Sequence, residues 1–227
     1  VPVFALSQDL SFPAPEWAEP DGLLAMGGDL CPERLLLAYS LGIFPWFNPG
    51  DPLLWWSPDP RCVIEPSAIR VSTSLRKVLR RGRFSLTFDQ AFAAVISACR
   101  ETRLARGEGT WLGDEMVDAY QRLHHSGFAH SVEVWEEKEL VGGLYGVVLG
   151  RCFFGESMFH RRTDASKIGL VGLARRLAEK QFELIDCQLP NPHLFSLGAK
   201  EISRAEFLKR LRMGGVMPSV RPSQAPL

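Results

Sequence analysis

Three consecutive stretches, SVEVWEE (131–137), ELVGGLYGVVLG (139–150) and RCFFGESMF (151–159), decide how the rest of the chain is read. They are rich in β-branched and aromatic residues and are joined by short turns at Glu137-Lys138 and Gly150-Arg151, the pattern of an antiparallel meander. Upstream, helical spacing predicts helices over about 73–81 (Leu75, Val78, Leu79), 89–100 (Phe92, Val95, Ile96, Cys99) and 114–125 (Met116, Val117, Tyr120, Leu123). Downstream, a helix over about 165–180 precedes the short strand FELIDC (182–187) and the turn-and-helix NPHLFSLG (191–198). Ser203-x-x-Glu206 is a capping-box signature that opens a last helix reaching about Met213. Helices, then a meander, a long helix and one more strand make an α+β order.

The first sixty residues differ in texture. They hold 10 of the 16 Pro and 4 of the 6 Trp, and one clear helix, bracketed by Pro32 and Gly42. Residues 1–62 therefore read as a small, irregular, Trp- and Pro-rich N-terminal domain, and 63–227 as the main body. Charge divides in the same way although the net formal charge is zero. Residues 1–60 carry eight acids and one base (Arg34), whereas 61–83 carry seven bases and one acid (Glu65). Such asymmetry informs about partners better than the total does.

At 46% apolar, with 14 Phe and 6 Trp, the chain has a real core to bury. No apolar run approaches the roughly 18 residues that a membrane span needs. The opening VPVFALSQDLSFPAPEWAEP has no basic n-region and is not read as a secretory signal. Five widely spaced Cys with no C-x-x-C pair argue against zinc and against a disulfide framework, and favour a reducing, cytoplasmic setting. Walker A, H-E-x-x-H and G-x-S-x-G motifs are absent.

The element order is also similar, in topology, to the GCN5-related N-acetyltransferase (GNAT) fold, whose fourth and fifth strands part to form a cleft. Here those strands are RCFFGESMF and FELIDC. Coenzyme A is disfavoured, because the nearest match to the phosphate loop of that fold is LARGEG (104–109), with Leu104 in the key position.

Glu156 lies within an otherwise apolar strand and Asp186 ends the other, with Gln188 two residues on and on the same face if the strand continues. Carboxylates facing a core are paired or used. Either the two make an acidic cleft, or each faces solvent or pairs with Arg161, Arg162 or Lys167. The Trp-rich loops GIFPWF (42–47) and LLWWSPDPR (53–61) offer stacking surfaces or a subdomain core; Trp55 and Trp56 read as core, while Trp46 and Trp111 are open to either use. In SLRKVLRRGR (74–83), Arg76, Lys77, Arg80, Arg81 and Arg83 form a basic flank suited to phosphate contacts, or a solvated helix face.

DGLLAMGGDL (21–30), GIFPWF (42–47), WWSPDPR (55–61), GGLYGV (142–147), FFGESMF (153–159), ASK (165–167), LIDCQ (184–188) and LGA (197–199) together resemble the leucyl/phenylalanyl-tRNA–protein transferase family. The resemblance spans about residues 20–208. It implies a small N-terminal domain followed by a GNAT-like (acyl-CoA N-acyltransferase) domain, with no cofactor. The implied activity moves Leu or Phe, and Met less well, from aminoacyl-tRNA to the α-amine of proteins that begin with Arg or Lys, marking them for degradation. Carried over by matching strings, Asp186 and Gln188 form a catalytic relay and Glu156 helps hold the acceptor, with Asp186 itself an alternative base. The donor side chain is expected among Leu144, Phe153, Met158, Leu170, Leu173 and Ile185, and the terminal adenosine on Trp46 and Trp111. Arg76, Arg80 and Arg83 are expected on tRNA phosphates. A monomer is expected, since no helix shows a spare apolar face. The rivals are an aminoacyltransferase acting on peptidoglycan precursors, a non-catalytic tRNA-binding module and a conventional acetyltransferase.

Overall fold

The computed structural model describes residues 3–105, 111–224 and 227. Its N-terminal part holds β1 (Phe4–Leu6), β2 (Leu23–Gly27), α1 (Pro32–Ser40), β3 (Phe44–Pro45) and β4 (Leu54–Trp56). These strands form a four-stranded sheet in the order β1-β2-β4-β3 where an irregular subdomain was expected. The strands span only two to five residues, too short for alternation to be legible. Trp55 is fully buried, and its indole N–H donates to Gly27 O at 2.9 Å.

The body contains β5 (Arg61–Ile64), α2 (Thr73–Arg80), β6 (Ser85–Phe88), α3 (Phe92–Ala105), α4 (Asp114–His125) and β7 (Ala129–Glu136). Then follow β8 (Glu139–Leu149), β9 (Cys152–His160), α5 (Ala165–Glu179), β10 (Leu184–Gln188), α6 (Pro192–Ser196), β11 (Lys200–Ile202) and α7 (Arg204–Met213). Seven of these strands make one sheet in the order β11-β5-β10-β9-β8-β7-β6, antiparallel throughout except for the β9–β10 pair.

The meander β7-β8-β9, the helices and the neighbouring of β9 and β10 agree with the sequence reading. Strands β5, β6 and β11 are additions. β5 (RCVI) is buried at every position, so it carries no alternation, while β6 and β11 span only four and three residues. β5 begins at Arg61 and belongs to the large sheet.

Apolar side chains cover both faces of that sheet. One face packs with α1, α3 and α4 around Tyr39, Tyr120, Tyr145 and Phe154. The other packs with α5 around Val132, Leu144, Phe153, Leu173 and Ile185. At roughly 1.5–3 kcal/mol for each fully buried Leu, Ile or Phe, these two layers dominate the stability of the body.

Candidate active site

The parallel pairing of β10 with β9 matches Leu184 to Cys152, Ile185 to Phe153 and Asp186 to Phe154, and goes no further. Beyond that point β9 continues against β8, and β10 against β5, so the two strands part. Each carries a β-bulge there. Gly155 pairs with Gly146 and Ser157 with Tyr145, leaving Glu156 as the extra residue in β9. Asp186 pairs with Val63 and Gln188 with Cys62, leaving Cys187 as the extra residue in β10. Bulges re-aim side chains where a ladder ends. The backbones press close at this point: a Cβ on Gly146 would lie 2.2 Å from Phe154 O.

The bulge turns Glu156 toward two tyrosines. Its Oε1 accepts from Tyr39 Oη at 2.7 Å and from Gln188 Nε2 at 3.1 Å, and its Oε2 accepts from Tyr120 Oη at 2.6 Å. The two tyrosine oxygens are themselves 2.6 Å apart. Three short oxygen–oxygen contacts need three protons, and two phenols supply two. A neutral Glu156 carboxyl supplies the third, one of its oxygens then donating to its tyrosine while that phenol donates to the other. Burial acts in the same direction, raising the Glu156 pKa to about 7 against the lowering by Tyr120, Tyr39 and Gln188, with a further upward push from Asp186. Burial, together with the charge of Glu156, also holds the Tyr39 and Tyr120 phenols well above their usual pKa.

Asp186 takes a different position from the one its spacing suggested. It is fully buried, with Oδ1 accepting from Arg61 Nε (2.8 Å) and the Gln188 backbone N–H (2.9 Å), and Oδ2 accepting from Arg61 Nη2 (2.7 Å). Arg61 also donates to Gly42 O at 3.1 Å and lies between the Phe44 and Phe207 rings. The expected face-sharing of Asp186 and Gln188 fails because the bulge intervenes. Asp186 instead lies behind the cleft and holds Gln188, whose φ of +57° is left-handed, through its backbone. Neither carboxylate pairs with Arg161, Arg162 or Lys167, which bind Glu101, Glu136 with Glu139, and Asp164 respectively.

Glu156 and Gln188 open into a cavity of about 790 Å³. Leu144, Phe153, Met158, Leu170 and Ile185 line one side of it, and Trp46 and Trp111 are on its wall as well. Leu173 is not among the lining residues. On α5 the positions facing the cavity are Ser166 and Leu170, one turn apart, and Leu173 is wholly buried in the packing between helix and sheet. Trp46 is 41% exposed whereas Trp111 is 8% exposed, so only the first presents an open ring. Arg76, Arg80 and Arg83 are exposed, on α2 and just beyond it, and none lines the cavity. Arg83 is engaged by Glu136.

Tyr39, Tyr120 and Arg61 are central to this geometry and were not singled out from the sequence. The tyrosines occupy core positions of α1 and α4, where an aromatic residue reads as packing. Arg61 was marked only as the end of the WWSPDPR string (55–61) and as the first base of the 61–83 segment. The described residues contain no group of three or more His, Cys, Asp or Glu placed to hold a metal ion. The LARGEG string falls mostly on residues 106–110, outside the described residues.

A family model described as leucyl/phenylalanyl-tRNA protein transferase matches residues 63–212, and one for the N-terminal domain of that family matches 28–59. A leucyl/phenylalanyl-tRNA–protein transferase from Syntrophotalea carbinolica is 58% identical over 222 residues, covering 98% of this chain and 96% of its own. One from Syntrophobacter fumaroxidans is 60% identical over 211 residues, covering 93% and 90%. Among solved structures, the C-terminal domain of a putative lysylphosphatidylglycerol synthetase from Agrobacterium fabrum aligns at 12% identity and a TM-score of 0.44, covering 68% of this chain and 56% of that one. The full-length matches make the chain an aminoacyltransferase. It belongs to the leucyl/phenylalanyl-tRNA protein transferase family.

Proposed function

We propose that the chain transfers Leu or Phe, and Met less well, from aminoacyl-tRNA to the α-amine of proteins whose first residue is Arg or Lys, and so marks them for degradation. The observation that carries this reading is the composition of the cleft: an apolar wall on one side, and on the other a carboxyl balanced near neutrality beside an oriented amide. The donor is an ester, already activated, so the exchange of a C–O bond for an amide C–N bond calls for no ATP.

The acceptor α-amine has a pKa near 7.7–8.0, so only about a tenth to a sixth is neutral at pH 7. Gln188 donates through Nε2 to Glu156, which leaves its carbonyl oxygen to orient that amine. Asp186 acts as a positioning residue for Gln188 and is shielded from the cavity, which weighs against its use as the base. Glu156 meets the cationic first side chain. An approaching cation favours the ionised carboxylate, so acceptor binding releases a proton near pH 7. The α-amine then loses a proton and the departing ribose oxygen gains one, along a path bordered by Gln188 and Glu156.

Leu144, Phe153, Met158, Leu170 and Ile185 receive the donor side chain, with discrimination of about 1–3 kcal/mol per methyl position. Trp46, with its open ring, stacks the terminal adenosine, Trp111 backs the same wall, and Arg76, Arg80 and Arg83 meet tRNA phosphates. The reading includes a small N-terminal domain and a GNAT-like body, with the boundary moved from 62/63 to the start of β5 at Arg61, acting as a monomer. Five unpaired thiols favour a reducing compartment such as the cytoplasm.

The test uses tRNA charged with labelled Leu and two peptides differing only in an N-terminal Arg or Ala, without ATP, metal or coenzyme A. Label on the Arg peptide alone is the expected result. Transfer to both peptides would remove the acceptor rule, and binding of tRNA with no transfer would overturn the enzymatic reading.

A further inference from the structure

The extra residue of the β10 bulge is a cysteine, and it faces another. β10 runs against β5 with Ile185 opposite Ile64 and Asp186 opposite Val63. Past the bulge Gln188 is opposite Cys62, so Cys187 and Gln188 together oppose that one residue. The two layers of the core fix the side of the sheet. Val63 and Leu184 belong to the layer of α1, α3 and α4, whereas Cys62, Ile64 and Ile185 belong to the layer of α5, and Cys187 packs against that same layer. The two thiols therefore share one face of adjoining strands, where opposed side chains stand about 4.5–5.5 Å apart at Cβ.

Both thiols are free, and they differ in access. Cys62 is fully buried, whereas Cys187 is half-buried and lines the cavity, between Asp186 and Gln188 in the chain. The neighbours of the remaining cysteines are of other kinds: Asp29 for Cys31, Ser157 for Cys99 and the Gly214 backbone for Cys152.

We propose that Cys62 and Cys187 form a modification site: a peroxide that enters the cavity converts the two thiols into a disulfide, and the disulfide stops transfer. The Cys187 sulfur attacks one peroxide oxygen, the O–O bond breaks, and the thiol proton leaves with the other oxygen as water. The Cys62 sulfur then attacks the Cys187 sulfur, the S–O bond breaks, and a second water leaves with the Cys62 proton. The two thiols lose two electrons and two hydrogens, and the peroxide becomes two waters. The hydrogen bond between the thiols lowers the pKa of Cys62, which must attack in the second step. That bond, with burial, holds Cys187 well above the usual thiol value, so the first step is slow and the site answers to sustained exposure. A disulfide brings the Cβ atoms to about 3.5–4.5 Å, which draws the bulge toward β5. Gln188 is the next residue, with its φ of +57° and its side chain 3.1 Å from Glu156, and it moves with the bulge.

Hydrogen peroxide added to the full chain, followed by alkylation of the remaining thiols under denaturing conditions, tests this. Two of the five cysteines should escape alkylation, and a peptide map should join 62 to 187. Transfer of labelled Leu to the Arg peptide should fall in step, by about tenfold to a hundredfold, and return with dithiothreitol. Cys62→Ala, which keeps Cys187, should transfer as before and withstand the same exposure; Cys62→Val, which refills the site, serves if the alanine variant does not fold. No bridge, a bridge between any other pair, or a 62–187 bridge with undiminished transfer overturns the proposal, and so does equal inactivation of the Cys62 variants. The bridge is read by mass whichever acceptor the enzyme uses, so absence of transfer before exposure counts against the acceptor rule alone.

Discussion

Replacing Arg61 by Met removes one half of the buried ion pair that fixes Asp186. The side chain is 1% exposed, and the change deletes the 2.8 and 2.7 Å bonds to Asp186, the 3.1 Å bond to Gly42 O and the contacts with the Phe44 and Phe207 rings. Asp186 keeps only the Gln188 N–H. Removing one partner of a buried pair costs about 3–5 kcal/mol, because a charge is left uncompensated. Against a total stability of about 5–15 kcal/mol, this leaves the variant marginal but measurable. With a urea m-value of roughly 2–3 kcal/mol per M, the midpoint falls by about 1–2.5 M. The double variant Arg61→Met with Asp186→Asn carries no buried charge and should recover part of the loss. Urea unfolding followed by tryptophan fluorescence reads all of these. A deficit below about 1 kcal/mol, or no recovery in the double variant, would refute the view that this ion pair anchors the strand junction.

Three more outcomes follow from the same geometry. The Glu156 pKa of about 7 lies above its usual 4.5, so the folded state holds the proton more tightly, and stability is lost as pH rises from about 4.5 through 7; the ceiling is about 3 kcal/mol. Glu156→Gln should abolish that slope and be the more stable form at pH 8 in urea titrations, and a wild-type stability flat across the window would contradict the raised value. Leu170→Ala should change the ratio of Phe to Leu transfer by up to about a hundredfold, whereas Leu173→Ala should lower the melting temperature, by about 2–5 kcal/mol of stability, and leave the ratio alone; kcat/KM for both donors and thermal unfolding separate the two. Affinity for charged tRNA should fall steeply between 50 and 200 mM salt, and Arg80→Ala should reduce the log–log slope by about one; an unchanged slope would remove α2 from the tRNA contact.

The meander was legible because Glu137-Lys138 and Gly150-Arg151 punctuate long β-rich runs, and α5 was legible because its apolar residues repeat at helical spacing. The same positions located Glu156 and Gln188 on adjoining strands. What the sequence hid was the pair of bulges. Face assignment in a strand assumes a period of two, and one extra residue breaks the count between Asp186 and Gln188. That is why Asp186 was expected beside Gln188 in the cleft and is found behind it against Arg61. Tyr39 and Tyr120 were hidden for another reason. Each occupies a core-facing helical position, and only the fold brings their hydroxyls, 81 residues apart in the chain, to one carboxyl. Strands β5, β6 and β11 were unreadable because four or fewer residues give no period to detect.

On either side of Glu156 the rungs run without interruption, Gly146 with Gly155 and then Tyr145 with Ser157, as if the residue between had never been counted. The carboxyl of the cleft is supernumerary to the sheet. A chain one residue shorter at this point would close into an unbroken ladder, with Phe153 and Met158 still on the same wall and the apolar half of the cavity intact. It would lack any acid there. The length of β9 by a single residue, as much as the identity of its side chains, therefore separates an apolar cleft from one that can meet a cation.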